Sequence, residues 1–446
     1  MKRRDFIKIT GAAALTAACA PREARSGSDM TGEERMEMRE NPLNGDRVSL
    51  LGFGCMRWPM VKDADGKDVI DQEAVNEMVD YAIAHGVNYF DTSPAYLQGQ
   101  SEKAAGIALS RHPRERYYIA TKLSNFGDQT PEASLEMYRN SFKQLRTEYF
   151  DYYLLHAIGR GGKDAFEQRY VQNGMIDFLR AEKAAGRIRN LGFSFHGAQH
   201  EFDFFMELHD SGELVWDFCQ IEMNYVDWKH ADGVRNVNAD YLYEQLDRRG
   251  IPIIIMEPLL GGRLANVPAG ISRQMKQREP DKSIASWAFR FCGSYPRVLC
   301  ILSGMTSMDP LQDNIKTFGH FQPLTEEELG FMEQMAVQMM EYPLVNCTGC
   351  KYCMPCPWGI DIPGTFQHYN RAITEGTYAQ SREQKDYAKL KKAYLVSYDR
   401  AVATVRQADH CIACGDCLKH CPQSIAIPAQ LRRIARYVES LKQDTL

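Results

Sequence analysis

The stretch VNYFDTSPAY, residues 87–96, decides the fold of this chain. Its first half is a short β-like run that ends at Asp91, and a polar loop follows. The next residues, Ser101–Leu109, suit a helix. A strand that runs into a loop and then into a helix is one unit of the alternation that builds parallel sheets.

The same strand–loop–helix unit recurs on both sides of this stretch. The predicted strands are Ser49–Gly54, Val87–Asp91, Tyr117–Lys122, Tyr152–His156, Ile188–Ser194, Phe218–Met223, Pro252–Met256 and Val298–Ser303. Eight strands over about 270 residues match the size of a TIM barrel. We therefore expect an α/β fold with a (β/α)8 barrel over residues 46–322. An open doubly wound sheet is the alternative, but no glycine-rich dinucleotide fingerprint follows the first strand.

The segments that flank the predicted barrel differ from it in composition. Residues 21–45 are polar and rich in Glu, Arg, Gly and Ser, which is typical of a flexible tether. Residues 323–342 contain a helical stretch that opens with Thr325 and three glutamates. A threonine cap followed by acidic residues favours a helix N-terminus, so we expect a connecting helix there.

Residues 1–20 have the features of an export signal. Paired arginines, Arg3 and Arg4, precede a mildly apolar run over residues 9–19, and the segment resembles a twin-arginine signal peptide. The run is too short and too weakly apolar for a transmembrane helix. Cys19 lies in a small-residue cleavage site and is also a candidate for a lipid anchor. The predicted location is the periplasm or cell envelope; a basic amphipathic helix is the alternative.

Net charge and cysteine placement narrow the class of protein. The formal charge is -5, so there is no basic excess of the kind that attracts phosphate backbones, and no nucleic-acid partner is expected. The chain has 13 cysteines, and most of them are grouped near the C-terminal end. Grouping at short fixed spacing indicates metal before disulfides.

Two cysteine groups within residues 343–446 predict a 4Fe-4S domain in this part of the chain. The eight cysteines are Cys347, Cys350, Cys353 and Cys356, followed by a proline, and Cys411, Cys414, Cys417 and Cys421, also followed by a proline. Closely spaced thiolates with one distant partner suit an iron–sulfur cuboid. Structural zinc and a disulfide scaffold are the alternatives. The region between the groups, residues 364–406, lacks cysteine and suggests two inserted helices.

This C-terminal region resembles the two-cluster bacterial ferredoxins. The resemblance implies two 4Fe-4S clusters with crossed ligands, in which the first three cysteines of each group pair with the last cysteine of the other. Cys421 would then complete the first cluster, and Cys356 the second. The first group departs from the family pattern because two residues, rather than three, separate Cys353 from Cys356.

Four ionisable residues follow predicted strands in sequence order: Asp91, Tyr96, Lys122 and His156. In a TIM barrel, the carboxyl ends of the strands and the loops after them form the active site. The chain resembles the aldo-keto reductase family through YFDTSPAY (89–96), Ser101-Glu102, IATK (119–122) and LLH (154–156).

The resemblance implies a role for each of the four residues. Tyr96 is the general acid and base, and Lys122 is the ammonium that lowers the pKa of that phenol. Asp91 holds the lysine, and His156 orients the substrate through a hydrogen bond. A free tyrosine has a pKa near ~10, so a proton donor of this kind needs a neighbouring cation.

The same resemblance places a nicotinamide cofactor on residues after the last four strands. The implied residues are Ser194, Gln220, Pro258, Leu259, Gly261, Arg263, Ser303, Gly304, Asp313 and Asn314. Met256 stands where many NADPH-using members have an aromatic ring, and Gly304 and Pro310 stand where they have a lysine and an arginine for the 2′-phosphate. NAD(P) is therefore expected without a preference for NADP.

The sequence thus predicts an exported iron–sulfur oxidoreductase that interconverts a small-molecule carbonyl and an alcohol. A redox partner protein is a candidate partner. The alternative is an electron-transfer protein whose barrel is a non-catalytic scaffold. Hydride transfer moves two electrons together whereas a cluster passes one, and we find no flavin signal that would couple them. Three alternatives stay open: the clusters are structural, the clusters exchange electrons with a partner protein, or the barrel uses no soluble nicotinamide.

Overall fold

Eight parallel strands close into a barrel in the computed structural model, which describes residues 36–231 and 236–446. Around the barrel the strands follow the order β10-β11-β12-β3-β6-β7-β8-β9. In the described residues the strands are β1 (Met38–Glu40), β2 (Arg47–Ser49), β3 (Leu51–Gly54), β4 (Met60–Lys62), β5 (Asp68–Ile70), β6 (Tyr89–Asp91), β7 (Tyr118–Leu123), β8 (Phe150–Ile158), β9 (Ile188–Phe195), β10 (Phe218–Glu222), β11 (Ile253–Met256) and β12 (Val298–Ser303). The predicted (β/α)8 barrel is confirmed.

Helices alternate with the barrel strands and continue into the C-terminal region. They are α1 (Gln72–Ala84), α2 (Ser101–Leu109), α3 (Pro131–Leu145), α4 (Gly162–Phe166), α5 (Met175–Ala184), α6 (Gln199–Asp210), α7 (Asp227–His230), α8 (Ala239–Arg248), α9 (Ala269–Arg278), α10 (Ile284–Gly293), α11 (Met308–Gly319), α12 (Glu326–Met340), α13 (Ile362–Thr374), α14 (Tyr387–Ala401) and α15 (Ile427–Gln443). Local chemistry sets their ends: Thr130 caps α3, where its Oγ1 accepts from the Ala133 N–H at 3.3 Å.

The interior of the barrel is filled by side chains. Tyr89, Tyr152 and Phe218 pack together, and the Tyr152 ring centroid lies 5.0 Å from each of the other two. Gly192 is required beside them because a Cβ atom there would collide with the Phe218 carbonyl oxygen. A filled interior leaves the mouth, at the carboxyl ends of the strands, as the place for chemistry.

The N-terminal predictions fall mainly outside the described residues. These include the signal peptide with Cys19 and the tether up to residue 35. The end of the predicted tether, residues 36–45, is structured instead, because β1 pairs antiparallel with β2 and Met36 is buried in the barrel core. Ser49 therefore belongs to this hairpin and not to the first barrel strand.

The predicted connecting helix is part of the barrel packing. α12 begins at a capping box in which Thr325 and Glu328 satisfy each other's backbone N–H groups. Its buried face, which includes Phe331 and Met335, joins the barrel core. His230 also binds Glu333 on this helix, with 2.8 Å between Nε2 and Oε1. α12 is thus a layer of the barrel, and the C-terminal domain follows it.

The C-terminal domain has its own hydrophobic core. Its three helices, α13, α14 and α15, pack around buried residues such as Phe366, Tyr394 and Leu431. The two helices expected between the cysteine groups are α13 and α14. Among the described residues, no helix combines the length and the apolar character needed to cross a membrane.

Glu102 links α2 to the barrel wall. Its carboxylate accepts a hydrogen bond from the Thr121 hydroxyl on β7 at 2.6 Å, and the side chain is buried. Burial raises the pKa of this carboxyl to about 7, although the Thr121 hydrogen bond opposes the rise. The folded protein therefore keeps a proton on Glu102 under mildly acidic conditions, whereas the unfolded chain releases it.

This proton makes stability depend on pH. The contribution of Glu102 to the free energy of unfolding should be complete below pH 4.5, the ordinary pKa of the group. About 3 kcal/mol of it should be lost as the pH rises through 7. Glu102→Gln keeps the shape and removes the titration. The thermal midpoint of the wild type should therefore fall between pH 5 and 8 relative to that of E102Q. The exposed Glu132→Gln serves as control, and parallel pH curves for wild type and E102Q would contradict the assignment.

Candidate active site and cluster sites

Three of the four predicted catalytic residues lie on adjacent strands. Asp91 ends β6, Lys122 lies near the end of β7, and His156 lies near the end of β8. The Lys122 ammonium donates to Asp91 Oδ1 at 2.6 Å and to the Thr92 carbonyl at 2.9 Å. Both side chains of this ion pair are buried. Burial lowers the pKa of Lys122, and the Asp91 carboxylate opposes that shift.

Tyr96 is brought to this ion pair by the loop after β6. The Lys122 Nζ atom lies 5.1 Å from the centroid of the Tyr96 ring. On its other side, the Tyr96 ring meets the His156 ring edge-on, with centroids 5.9 Å apart and an interplanar angle of 83°. The structure therefore brings all four predicted residues into one cluster at the barrel mouth.

His156 is held by two serines. Its Nδ1 lies 2.6 Å from the Ser124 hydroxyl and 3.3 Å from that of Ser93, and the two hydroxyls are 2.8 Å apart. Burial lowers the pKa of His156 well below its ordinary value, and the nearby charges of Lys122 and Arg169 add to the effect. The ring is therefore neutral at physiological pH. Neither serine signalled this contact in the sequence.

The predicted acidity of Tyr96 is not found. Burial raises the pKa of Tyr96 well above its ordinary value, and the carboxylate of Asp91 adds to the rise. Burial sets this pKa in the resting site, where the Lys122 ammonium is paired with Asp91. That Lys122 favours the phenolate during reaction stays a prediction.

The residues predicted to bind the nicotinamide end lie at the mouth. The Ser194 hydroxyl accepts a hydrogen bond from the Ala157 N–H at 2.8 Å. Gln220 is buried, and its Oε1 has no hydrogen-bond partner among the described residues. Ser303 and Asn314 bind each other, with 2.9 Å between Oγ and Nδ2.

The loop after β11, which is predicted to bind the nicotinamide cofactor, contacts the C-terminal domain. Pro258 is buried, Leu259 is partly buried, and Gly261 donates its N–H to Glu257 Oε2 at 2.7 Å. A Cβ atom at Gly261 would collide with the backbone of Thr348. Arg263 donates to Asn346 Oδ1 at 2.9 Å.

The segment after β12 forms the opposite side of this groove. Arg57 lies beside the exposed Gly304, where a Cβ atom would be 2.9 Å from Arg57 Cδ. The carbonyl of Asp313 accepts from the Thr317 hydroxyl at 3.0 Å inside α11. Sequence reasoning placed these residues at the mouth but did not foresee what fills the space between them.

Sequence reasoning missed several charged residues at the mouth. Arg57 donates to the Thr348 carbonyl, and Gln423 Nε2 lies 3.0 Å from each carboxylate oxygen of Glu222. Burial raises the pKa of Glu257, and Arg57 opposes the rise. The available signal was position, since Glu222 and Glu257 both fall at the carboxyl ends of strands.

The eight clustered cysteines form two groups with crossed membership. The thiol of Cys353 interacts electrostatically with those of Cys350, Cys347 and Cys421. In the same way, Cys417 interacts with Cys411, Cys414 and Cys356. Burial raises the pKa of Cys353 to about 12 and that of Cys417 to about 11, and the neighbouring thiols add to both shifts. Each group therefore takes three thiols from one loop and one from the other.

The donor set of each group suits an iron–sulfur cuboid. All eight thiols are free in the described part of the chain. Within that part, no three His, Cys, Asp or Glu side chains converge closely enough to hold a single metal ion. A cuboid spreads its four thiolates farther apart than a single ion does, and four soft sulfur donors are the ligands that such clusters use.

Comparison with known proteins identifies both parts of the chain. The family model described as "Aldo/keto reductase family" matches residues 50–336, and that described as "4Fe-4S dicluster domain" matches residues 346–426. A probable aldo-keto reductase 1 from Glycine max is 34% identical over 122 residues, which cover 26% of this chain and 34% of that protein. The chain thus spans about a third of that relative.

Other relatives match the barrel over nearly their whole length. L-galactose dehydrogenase from Arabidopsis thaliana is 24% identical over 337 residues, 70% of this chain and 97% of that protein. The crystal structure of an aldo-keto reductase from Klebsiella pneumoniae in complex with NADPH has a TM-score of 0.52 at 20% identity, and the match covers 68% of this chain and 95% of that one. The chain is therefore an oxidoreductase that belongs to the aldo/keto reductase family and has a 4Fe-4S dicluster domain after its barrel.

Proposed function

We propose that this protein is an exported iron–sulfur oxidoreductase that interconverts a small-molecule carbonyl and its alcohol, with Tyr96 as the acid and base. The observation that supports this most strongly is the cluster of Tyr96 with the buried Lys122–Asp91 pair and the neutral His156 at the carboxyl end of the barrel. The Arabidopsis relative is named for a sugar with hydroxyl groups. That name supports the substrate class and not the sugar itself.

Tyr96 supplies the proton at the substrate oxygen. Its pKa is raised by burial, so the phenol is fully protonated before reaction. When the proton leaves, the phenolate develops beside the Lys122 ammonium, whose nitrogen is 5.1 Å from the ring centroid. A fixed cation in a site without water stabilises a negative charge that develops only during reaction. This stabilisation lowers the activation barrier for proton transfer.

His156 orients the substrate oxygen. With Nδ1 accepting from the Ser124 hydroxyl, Nε2 bears the hydrogen and donates to the carbonyl. A neutral ring is suited to this role because it positions the oxygen without competing with Tyr96 as the acid. Arg169 supports the arrangement from behind by donating to the His156 carbonyl at 2.8 Å.

The two crossed cysteine groups are the proposed ligands of two 4Fe-4S clusters. Cys347, Cys350, Cys353 and Cys421 would hold one cluster, and Cys411, Cys414, Cys417 and Cys356 the other. Such clusters transfer single electrons when bound. Cys414 is exposed, so the second cluster is the one nearer to solvent and to a redox partner protein.

The proposed location is the periplasm or cell envelope. Its support is the paired arginines, Arg3 and Arg4, before a mildly apolar run. The twin-arginine route moves folded proteins that already contain their cofactors, which suits clusters assembled in the cytoplasm. Cys19 is the proposed site of a lipid anchor if the signal is processed there.

Tyr96→Phe should lower turnover by a factor of ~10²–10⁴, the usual contribution of a general acid, because the proton donor is removed while the ring stays. Carbonyl reduction and cluster absorbance would be measured on the same preparation, and absorbance should not change. Tyr153→Phe is the matched control, since its buried hydroxyl has no hydrogen-bond partner among the described residues. Equal turnover in Y96F and Y153F would remove Tyr96 from the mechanism.

Cys414→Ala should lower iron from about eight to about four atoms per chain, because one four-iron cluster loses a ligand. Iron and acid-labile sulfide would be measured on protein purified without oxygen. Cys292→Ala, at a buried cysteine whose thiol donates to the Met223 carbonyl, should keep full iron. Full iron in C414A would refute the ligand assignment.

A further inference from the structure

The C-terminal domain covers the barrel mouth through one short stretch, residues 346–352, here called the cover segment. The cover segment lies between the two sides of the predicted nucleotide groove. On one side, Arg263 donates to Asn346 at 2.9 Å, and Gly261 packs against the Thr348 backbone. On the other side, Arg57 lies beside Gly304 and donates to the Thr348 carbonyl.

Further contacts hold the domain in place around the mouth. Gln423 binds the Glu222 carboxylate at the end of β10, with both distances 3.0 Å. Arg160, which follows β8, donates to the Lys419 carbonyl at 2.7 Å. Together with Arg57 and the loop after β11, these contacts attach the domain after four different barrel strands. The cover segment is therefore fixed from several directions.

The cover segment lies beside the turn that carries Tyr96. Thr348 accepts a hydrogen bond from Arg57, and the turn Cys55–Arg57 packs against the turn Tyr96–Gly99. The proposed ligands Cys347 and Cys350 lie within the same segment. The first cluster site is thus the part of the C-terminal domain that adjoins the phenol.

A nicotinamide dinucleotide does not fit this arrangement. Its pyrophosphate needs free backbone N–H groups or free cations, but the Gly261 N–H is taken by Glu257, and Arg57 and Arg263 bind the cover segment. The part of the mouth beside Gly261 and Arg57, where the family resemblance places the nucleotide, is covered by the chain itself.

We propose that the cover segment permanently replaces the nucleotide in this protein, and that the barrel exchanges electrons with the adjoining cluster instead. The second half of the proposal rests on the proposed carbonyl chemistry. Direct electron exchange with the cluster removes the mismatch between a two-electron hydride donor and one-electron clusters.

In the reducing direction, a quinone or α-dicarbonyl gains two electrons and two protons and becomes a hydroquinone or enediol. The bound clusters would supply the two electrons, one from each, while Tyr96 gives one proton to the oxygen that it faces and solvent supplies the other to the second oxygen. Two C=O π bonds are replaced by one C=C π bond and two O–H bonds. A one-electron carrier protein re-reduces the clusters, and solvent reprotonates Tyr96. Cluster potentials restrict the substrate to carbonyls whose one-electron-reduced form is delocalised, such as quinones and α-dicarbonyls.

Dinucleotide binding tests the first half directly. Full-length, cluster-loaded protein purified without oxygen would be titrated with NADH and NADPH and followed by their fluorescence and by calorimetry. We expect dissociation constants above ~1 mM, the upper end of the usual range for enzyme substrates. Micromolar binding of either dinucleotide would overturn the proposal.

Gly261→Ala tests whether the cover segment is seated as described. The new methyl group would collide with Thr348, so hydrogen exchange of residues 346–352 should become at least ~10-fold faster. Gly262→Ala is the matched control: this glycine also has a positive φ, 96° against 67°, but nothing lies within 4 Å of a Cβ atom there. Equal exchange in both variants would contradict the seating.

Electron counting tests the second half. Photoreduced clusters would be mixed with phenanthrenequinone, an α-dicarbonyl, without any dinucleotide. We expect both clusters to be oxidised for each diol formed, and Y96F to react at least ~100-fold more slowly. An equal rate in Y96F would place the reaction outside the barrel and overturn the electron route. Turnover with NADPH alone would overturn the route but leave the proposed function standing, whereas reduction by neither donor would contradict the proposed function.

Discussion

The buried ion pair between Lys122 and Asp91 is the interaction on which the site depends. Two charges out of water are stable only when their geometry offsets the loss of solvation, and removing one partner of such a pair costs about 3–5 kcal/mol. Parallel pairing of β6 with β7 supplies that geometry, because it places Asp91 opposite Ala120 and brings the Lys122 ammonium within 2.6 Å of the carboxylate. The register of β6 and β7 thus fixes the Lys122 ammonium beside the Tyr96 ring.

The covered mouth explains why the charges at this site behave as they do. Tyr96 and His156 are both buried, and burial raises the pKa of the phenol and lowers that of the imidazole. Both shifts favour neutral forms, so before reaction the site holds a neutral Tyr96 phenol beside a neutral His156 imidazole. The C-terminal domain contributes to this covered mouth, because Thr348 binds Arg57 and packs against Gly261. The proposed proton donor and the proposed first cluster site therefore lie at the same mouth.

Much of the fold could be predicted because it is written in local patterns. The strand Val298–Ser303 and the helix Ser101–Leu109 have the predicted ends, since short apolar runs and helix-forming stretches are local signals. Asp91, Tyr96, Lys122 and His156 could be grouped because parallel strands share one edge. The docking of the C-terminal domain could not be predicted: its contacts use a backbone carbonyl at Thr348 and a bare Cα at Gly261, which have no sequence signature. The raised pKa of Tyr96 was also missed, because its burial in the folded protein has no sequence signature.

The central claim is that one iron–sulfur cluster lies at the barrel mouth beside Tyr96. Anomalous diffraction at the iron edge, from crystals grown without oxygen, tests it most directly. The account predicts two iron centres, one among Cys347, Cys350, Cys353 and Cys421 against the mouth, and one farther out near Cys414. A single iron centre, or two centres that both lie away from the barrel, would contradict it.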